Sequence, residues 1–191
     1  MKKAIYIVGP SSTGKTTLCD ALAERLGLES AAYVKEVARR IMRQKGYSRD
    51  TISNLQMQSD IMEAHLEEEE RASESSNIVV CDRSAIDPIV YAILTSTSAD
   101  EALARKEKLV GKEAFQVALA RYRDAESIIV LLAPVKDWVV DDGIRSMEQQ
   151  EECMGVFQRL LEDLGIPYHI LGSDRRSLFD RVISVMGFGR L

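Results

Sequence analysis

The sequence predicts an α/β fold, a doubly wound five-stranded parallel sheet with helices on both faces. Three observations support it. Short apolar runs alternate along the chain with longer segments of helical spacing, which is typical of parallel sheets. The run at residues 78–82 is apolar until it ends in an acid, as expected for a central strand buried on both faces. A Gly-rich turn at residues 9–16 joins the first strand to the first helix. The 191 residues contain no internal repeat or linker, so we expect a single domain over residues 1–191.

Five apolar runs have the length of β-strands. Each lies between turn residues or residues that begin or end a helix, and the central ones are rich in valine and isoleucine. They cover residues 4–8, 31–34, 78–82, 127–132 and 168–171.

The segments between these strands have helical spacing or helical composition. The first helix repeats leucine every four residues and ends before Gly27. Asp50 or Thr51 can cap a long third helix that reaches about residue 73, and Ser98 can cap a later one. The predicted helices cover residues 15–26, 35–42, 51–73, 84–94, 99–110, 112–123, 146–164 and 175–186.

Several polar and sulfur-containing residues are expected to be structural. The four glutamates at residues 67–70 should form a solvated helix face. The two histidines, His65 and His169, are too few and too far apart for a zinc site. The cysteines form no Cys-x-x-Cys pair, so we expect buried, reduced thiols at Cys19, Cys81 and Cys153.

Charge and hydropathy exclude several function classes. A formal charge of −5 argues against a general nucleic-acid-binding protein, which would carry a basic surface. No stretch approaches the 18 apolar residues that indicate a membrane span. Only five apolar residues follow Lys2 and Lys3, so we expect no signal peptide and a cytoplasmic location.

The Gly-rich turn has the spacing and the context of a phosphate-binding P-loop. Residues 9–16 read Gly-x4-Gly-Lys-Thr between a strand and a helix, and an ordinary Gly-rich turn is the weaker alternative. Glycines let the backbone approach an anion, and successive N–H groups then surround the phosphates of ATP. The lysine would reach the β- and γ-phosphates, and the threonine hydroxyl would bind Mg2+. The expected nucleotide-binding residues are Gly9, Ser11, Ser12, Thr13, Gly14, Lys15, Thr16 and Thr17.

Further charged residues follow other strands and should meet the P-loop at the carboxyl edge of the sheet. Asp82 is placed as the acid that holds Mg2+ with Thr16, and it could also serve as a base. Arg83 would contact phosphate or substrate, with a surface ion pair as the alternative. Glu36 would bind the acceptor hydroxyl or act as general base, and Arg39 would bind substrate. These two could instead form pairs along their helix, Glu36 with Arg40 for example.

One more arginine lies on the segment between the fourth strand and the next helix. From there Arg145 could neutralise the charge that develops on a transferred phosphoryl group, and a solvated surface position is the alternative.

Together these motifs resemble the P-loop nucleoside and nucleotide kinases, and more narrowly the AAA-domain group related to ribosylnicotinamide kinases. The resemblance implies that Asp82 is the base or a magnesium partner and that Arg83 and Arg145 contact phosphate. It also implies that Gly172 and Ser173 belong to the adenine pocket. This chain has an Asp-Arg pair at residues 82–83, whereas AAA motors have an Asp-Glu pair, so a motor ATPase is disfavoured. The matching segments are residues 9–16, 36–39, 81–84, 142–145 and 165–168.

The residues and the resemblance lead to one main hypothesis and two alternatives. The main hypothesis is an ATP- and Mg2+-dependent kinase that phosphorylates a hydroxyl of a small, nucleoside-like metabolite, with Lys15, Asp82, Glu36 and Arg145 as catalytic residues. A nucleotide-dependent switch with a protein partner is the first alternative, and a nucleotide phosphohydrolase is the second. No Asn-Lys-x-Asp guanine motif is present, which disfavours a GTPase switch.

Overall fold

The computed structural model describes residues 2–135, 147–172 and 177–191. Five strands form one sheet in the order β2-β3-β1-β4-β5, and every neighbouring pair is parallel. The predicted doubly wound parallel sheet is therefore confirmed. The strands are β1 (Lys3–Val8), β2 (Tyr33–Val34), β3 (Ile78–Asp82), β4 (Ser127–Leu132) and β5 (Tyr168–Leu171).

Eight α-helices connect or follow the strands in the described part of the chain. Short 3-10 turns at Ser30–Ala32 and Arg49–Thr51 separate some of them. The helices are α1 (Lys15–Arg25), α2 (Val37–Lys45), α3 (Leu55–Ser75), α4 (Ile86–Leu94), α5 (Ala99–Val110), α6 (Glu113–Tyr122), α7 (Met147–Asp163) and α8 (Leu178–Gly189).

Several element boundaries in the first half of the chain differ from the predicted ones, and three of the differences have a visible local feature. The second strand is shorter than expected because Ser30–Ala32 forms a 3-10 turn instead. Helix α2 begins only after Glu36, whose backbone is left-handed with φ 56°. Helix α3 begins at Leu55, because the Asn54 side chain accepts a hydrogen bond from the Gln56 backbone N–H at 2.8 Å and caps the helix there.

Both faces of the sheet are buried. Residues alternate along β1, so that Tyr6 joins one hydrophobic cluster and Ile5 and Ile7 join the other. The first cluster is covered by α3, α4, α6 and α7, and the second by α1 and α8. The central strands β1, β3 and β4 are therefore apolar except at their ends, as a sheet with two covered faces requires, whereas the edge strand β5 has two exposed residues, His169 and Ile170.

One member of the glutamate run is buried, contrary to the solvated face predicted for residues 67–70. Glu69 is 1% exposed and lies in the larger cluster, where it accepts hydrogen bonds from the Tyr122 hydroxyl at 2.8 and 3.0 Å. Arg121 Nη2 lies 2.9 Å from its second oxygen. Position 69 continues the buried stripe of α3, and the ion pair makes a carboxylate acceptable there.

The connections around β1 and β3 create a crevice at one edge of the sheet. These strands are neighbours, yet α1 leaves β1 on one face and α4 leaves β3 on the other, as their separate clusters show. Ligands of doubly wound sheets bind at such a point, beyond the carboxyl ends of the strands. No helix among the described residues is long and apolar enough to cross a bilayer.

Candidate active site

The loop between β1 and α1 is held close to the sheet. Gly9 has φ +136°, and a Cβ built there would lie 2.7 Å from the Leu132 carbonyl oxygen of β4. Gly14 has φ +82° and begins α1, while Ser12 between them also has a positive φ of 60°. The backbone therefore adopts the left-handed turns that a phosphate-binding concavity needs.

Lys15 is folded back into this loop. Its Nζ donates to the Pro10 carbonyl and to Thr13 Oγ1 at 3.3 Å, and the residue is 5% exposed. Burial, together with repulsion from Arg83, lowers the pKa of Lys15 from 10.5 to about 7. The amino group of Lys15 thus lies buried at the first turn of α1, where an anionic ligand would raise its pKa again and favour the charged form.

Thr16 and Asp82 meet across the crevice between α1 and β3. The Thr16 hydroxyl donates to Asp82 Oδ2 at 2.6 Å. Asp82 is 6% exposed, and its Oδ1 is buried without a hydrogen-bond partner among the described residues. The structure therefore brings these two side chains together and leaves one carboxylate oxygen without a partner among the described residues.

The residues after β3 form a compact turn that positions an arginine. Arg83 has a left-handed backbone (φ 79°), and its N–H donates to the Ile7 carbonyl at 3.1 Å. Its Nη1 donates to Asp87 Oδ1 at 3.0 Å. The other Asp87 oxygen accepts the Ser84 backbone N–H, also at 3.0 Å. Asp87 thus fixes both the turn and the guanidinium.

A cavity of about 330 Å³ adjoins the P-loop and Arg83. It reaches from Ser11 and Tyr91, whose hydroxyls lie 3.1 Å apart, to helices α2 and α3. A second cavity of about 440 Å³ shares Ser11 and Tyr91 with it and extends toward α7. Both volumes are typical of small-molecule sites.

The other residues predicted for the site do not take part in the Thr16–Asp82 contact, and their positions vary. Glu36 precedes α2 and is paired with Arg39 at 2.8 Å, the intrahelical type of pair given as the alternative, although its partner is Arg39 and not Arg40. Arg39 also lines the smaller cavity. Thr17 is exposed in the first turn of α1, and Gly172 follows β5 at the carboxyl edge. Ser173 and Arg145 lie outside the described residues.

Four residues around the loop and the cavity were not predicted from the sequence. Asp87 and Tyr91 lie in the first and second turns of α4 and line the same cavity as Ser11. Arg181 is 1% exposed in α8 and donates from Nη1 to the Thr13 carbonyl at 3.0 Å. His65 is fully buried in α3. Arg181 and His65 each occupy a core position of an otherwise apolar helical stripe, a pattern that marks a polar residue as unusual but does not identify its partners.

Comparison with solved structures identifies the fold. The chain superposes on NadR with a TM-score of 0.75 at 20% identity, in a crystal structure with NAD and AMP-PNP, and with 0.74 at 23% in one with NR. A deoxyadenosine kinase from M. mycoides with bound dCTP gives 0.63 at 14% identity over 96% of this chain and 97% of that one. A thymidylate kinase from Ehrlichia chaffeensis gives 0.61 at 16% over 100% and 99%.

The extent of these matches differs between the relatives. All of this chain is covered in the NadR comparisons, but it spans only about half of NadR, 50% and 52% in the two structures. A search of curated proteins found no significant match.

A sequence model of one family matches most of the chain. It is described as an AAA domain and covers residues 4–181, from β1 through the P-loop and the Asp82 turn to α8. The chain therefore belongs to this AAA domain family, and it has the fold of the P-loop nucleoside and nucleotide kinases.

Proposed function

We propose that this protein is an ATP- and Mg2+-dependent phosphotransferase that phosphorylates a hydroxyl group of a nucleoside-like metabolite. The contact between Thr16 and Asp82 carries the proposal, because it joins a P-loop hydroxyl to a buried acid beside a cavity of small-molecule size. A phosphotransferase needs these two halves, a triphosphate site and an acceptor site, in contact with each other.

The residues at the carboxyl edge fit a magnesium–triphosphate complex. Thr16 Oγ1 and the unpartnered Asp82 Oδ1 are hard oxygen ligands of the kind that Mg2+ prefers. Within the described ranges no cluster of three or more His, Cys, Asp or Glu side chains could hold a metal by itself, so the remaining ligands would come from phosphate oxygens and water. The bound ion would neutralise charge on the phosphates.

Two cations of the described chain, and Arg145 outside it, would act on the phosphates. Lys15 would leave the Pro10 carbonyl for the β- and γ-phosphates, and its pKa would rise again as it pairs with them. Arg83, held by Asp87 at the rim of the acceptor cavity, would contact phosphate or substrate, as proposed from the sequence. Arg145 remains a proposed contact of the transferred phosphoryl group.

The acceptor hydroxyl needs a base, and two carboxylates are candidates. Asp82 is engaged by Thr16 and proposed to face magnesium, so Glu36 is the one less committed to the metal. Its left-handed backbone (φ 56°) is an uncommon conformation for a glutamate and holds the residue at the start of α2. Its carboxylate is paired with Arg39, which lines the acceptor cavity, so we propose Glu36 as the general base and keep Asp82 as the alternative.

The choice of acceptor class rests on the relatives and on the sequence resemblance. The solved NadR complexes contain NAD, AMP-PNP and NR, and the deoxyadenosine kinase complexes contain deoxynucleotides. The sequence also resembles the ribosylnicotinamide kinases. Nicotinamide riboside and the deoxynucleosides are therefore the first acceptors to test.

The test is ADP release by purified protein with Mg-ATP, measured alone and against a panel of nucleosides and vitamins. We expect release to depend on one class of acceptor and to fall about 100-fold or more in Lys15→Ala, which removes the charge that contacts the phosphates. Lys112→Ala is the matched control, because that lysine forms a surface ion pair with Glu63 and should leave the rate unchanged.

Product analysis separates the proposal from its alternatives. A phosphorylated acceptor must appear together with ADP. Free phosphate without a phosphorylated acceptor would indicate a phosphohydrolase, and turnover that is equal with and without acceptors would indicate a switch-type ATPase. Either result would contradict the kinase.

A further inference from the structure

His65 is a buried polar residue without a hydrogen-bond partner. It lies in the middle of α3 with 0% of its surface exposed, and neither Nδ1 nor Nε2 has a partner among the described residues. Burying an imidazole in this way costs free energy, since both nitrogens lose their bonds to water. An apolar side chain would serve a purely structural role better, so the residue calls for another explanation.

The position of His65 supplies one. It is among the residues that line the cavity of about 330 Å³ beside the P-loop, together with Gln58, Arg83 and Tyr91. The Gln58 amide is fixed on one side, because its Nε2 donates to the Ile52 carbonyl at 2.8 Å. A ligand in this cavity would therefore meet two buried polar side chains of α3, one of which has both hydrogen-bonding positions available.

The imidazole is uncharged in this position. Burial, with repulsion from Arg83 and Arg40, lowers the pKa of His65 to about 3. A neutral imidazole offers one N–H donor and one nitrogen acceptor. The two nitrogens point in different directions, so the ring can donate to one polar group of a ligand and accept from another.

The other charges of the cavity are already balanced. Arg39 is paired with Glu36 at 2.8 Å, and Arg83 with Asp87 at 3.0 Å. The remaining walls are largely apolar, formed by Ala38, Met42, Ile52, Met57, Ile61 and Pro88. A site with paired charges, apolar walls and a neutral imidazole suits an uncharged ring system better than a phosphate group.

We propose that His65 selects the acceptor: it hydrogen-bonds the base of a nucleoside bound in this cavity, and the cavity thereby favours nucleosides with an uncharged base over those with a cationic one. This inference rests on the proposed kinase function and concerns the acceptor half of the same site. His65 touches the substrate away from the reacting hydroxyl, so its contribution lies in acceptor binding.

The experiment compares His65→Leu and His65→Gln with the unchanged protein. Leucine has a similar size and removes both polar nitrogens, whereas glutamine keeps one donor and one acceptor. The KM for the nucleoside should rise about tenfold or more in His65→Leu and recover in part in His65→Gln, with the KM for ATP unchanged. Ser59→Ala is the matched control, since Ser59 is a buried polar residue of α3 outside the lining of either cavity near the P-loop.

Two further measurements keep the inference separate from folding and from the kinase proposal. Thermal melts should show that His65→Leu is at least as stable as the unchanged protein, because no unpaired polar group is left. Calorimetric titration of deoxyadenosine, whose base is uncharged, and of nicotinamide riboside, whose pyridinium ring is cationic, measures binding without turnover, and we expect deoxyadenosine to bind more tightly.

Clear outcomes would overturn the inference. They are tighter binding of nicotinamide riboside than of deoxyadenosine, no binding of deoxyadenosine, or an equal KM for the nucleoside in His65→Leu. If nucleosides bind in a His65-dependent manner but are not phosphorylated, the kinase proposal fails and the binding site stands. If nucleosides are phosphorylated but the reaction does not depend on His65, the kinase proposal stands and the inference about His65 fails.

Discussion

At the scale of single residues, the carboxyl edge of the sheet concentrates unusual backbone conformations. Four non-glycine residues of the described chain have a positive φ, and three of them are at this edge: Ser12, Glu36 and Arg83. Such conformations cost of the order of 1–3 kcal/mol each and persist where the surroundings determine them. Here the determining contacts are visible, for example the Arg83 N–H bonded to the Ile7 carbonyl.

Gly9 lets the P-loop backbone lie close to the end of β4. Alanine at position 9 would combine a strained φ of +136° with a Cβ only 2.7 Å from the Leu132 carbonyl oxygen. We expect Gly9→Ala to lower the free energy of unfolding by roughly 3 kcal/mol and to weaken nucleotide binding, because the loop must move away from β4. Urea denaturation and titration with a non-hydrolysable ATP analogue measure the two effects.

Gly27→Ala is the control for that substitution. Gly27 also has a positive φ, +62°, but nothing lies within 4 Å of a Cβ placed there. This variant should lose only about 1 kcal/mol, the cost of a left-handed alanine, and should bind nucleotide normally. Equal losses in the two variants would show that the contact with Leu132 is unimportant.

At the scale of elements, one buried carboxylate connects two helices with the turn that carries Arg83. Glu69 of α3 accepts from the Tyr122 hydroxyl of α6 and from the Ala85 backbone N–H at 3.3 Å, just after β3. The Tyr6 ring of β1 packs edge-on against Tyr122 at 5.0 Å. The network thus ties the proposed acceptor helix to the residues that follow Asp82.

Removal of the Tyr122 hydroxyl tests this network. Tyr122→Phe leaves a buried carboxylate short of a donor, so we expect a loss of about 1–3 kcal/mol in unfolding free energy. Tyr168→Phe is the matched control, because the Tyr168 hydroxyl contacts Glu162 at the surface and its loss should cost less than about 0.5 kcal/mol. Similar losses in both variants would contradict a structural role for the network.

Elements and loops were predictable from the sequence to different degrees, for physical reasons. The bounds of β4 and β5 are those predicted, since continuous apolar runs between turn residues have one interpretation. The P-loop was predictable because the spacing of its glycines, lysine and threonine is typical of one backbone geometry. Glu69 and His65 were not, although both lie on the stripe that runs from Ile61 to Ala72 of α3. A polar residue on such a stripe is buried only if tertiary partners or a cavity accept it, and the sequence alone does not name them.

At the scale of the whole molecule, the two faces of the sheet support different halves of the proposed site. On one face α1 and α8 support the nucleotide loop, with Arg181 of α8 donating to the Thr13 carbonyl. On the other face α3 and α4 line the acceptor cavity. The crevice between β1 and β3 is where the two faces meet, which explains why Thr16 and Asp82 are in contact there.

Two buried groups on the acceptor face also give opposite pH dependences to global stability. Burial lowers the pKa of His65 from 6.5 to about 3, so between these values the unfolded chain binds more protons and stability rises with pH. Burial raises the pKa of Glu69 from 4.5 to about 7, although the nearby charge of Arg121 acts to lower it. Between 4.5 and 7 the folded chain therefore binds more protons, and stability falls as pH rises.

Because the two windows overlap from about pH 4.5 to 6.5, the contributions should largely cancel there in the unchanged protein, and single variants should reveal them. Relative to that protein, His65→Leu should lose stability as pH rises through this window, and Glu69→Gln should gain it, each by up to about 1.4 kcal/mol per pH unit. Urea denaturation at several values between pH 5 and 7.5 measures the differences. Ser59→Ala removes no titrating group and should give a constant difference, whereas flat curves for His65→Leu and Glu69→Gln would show that neither group changes its protonation on folding.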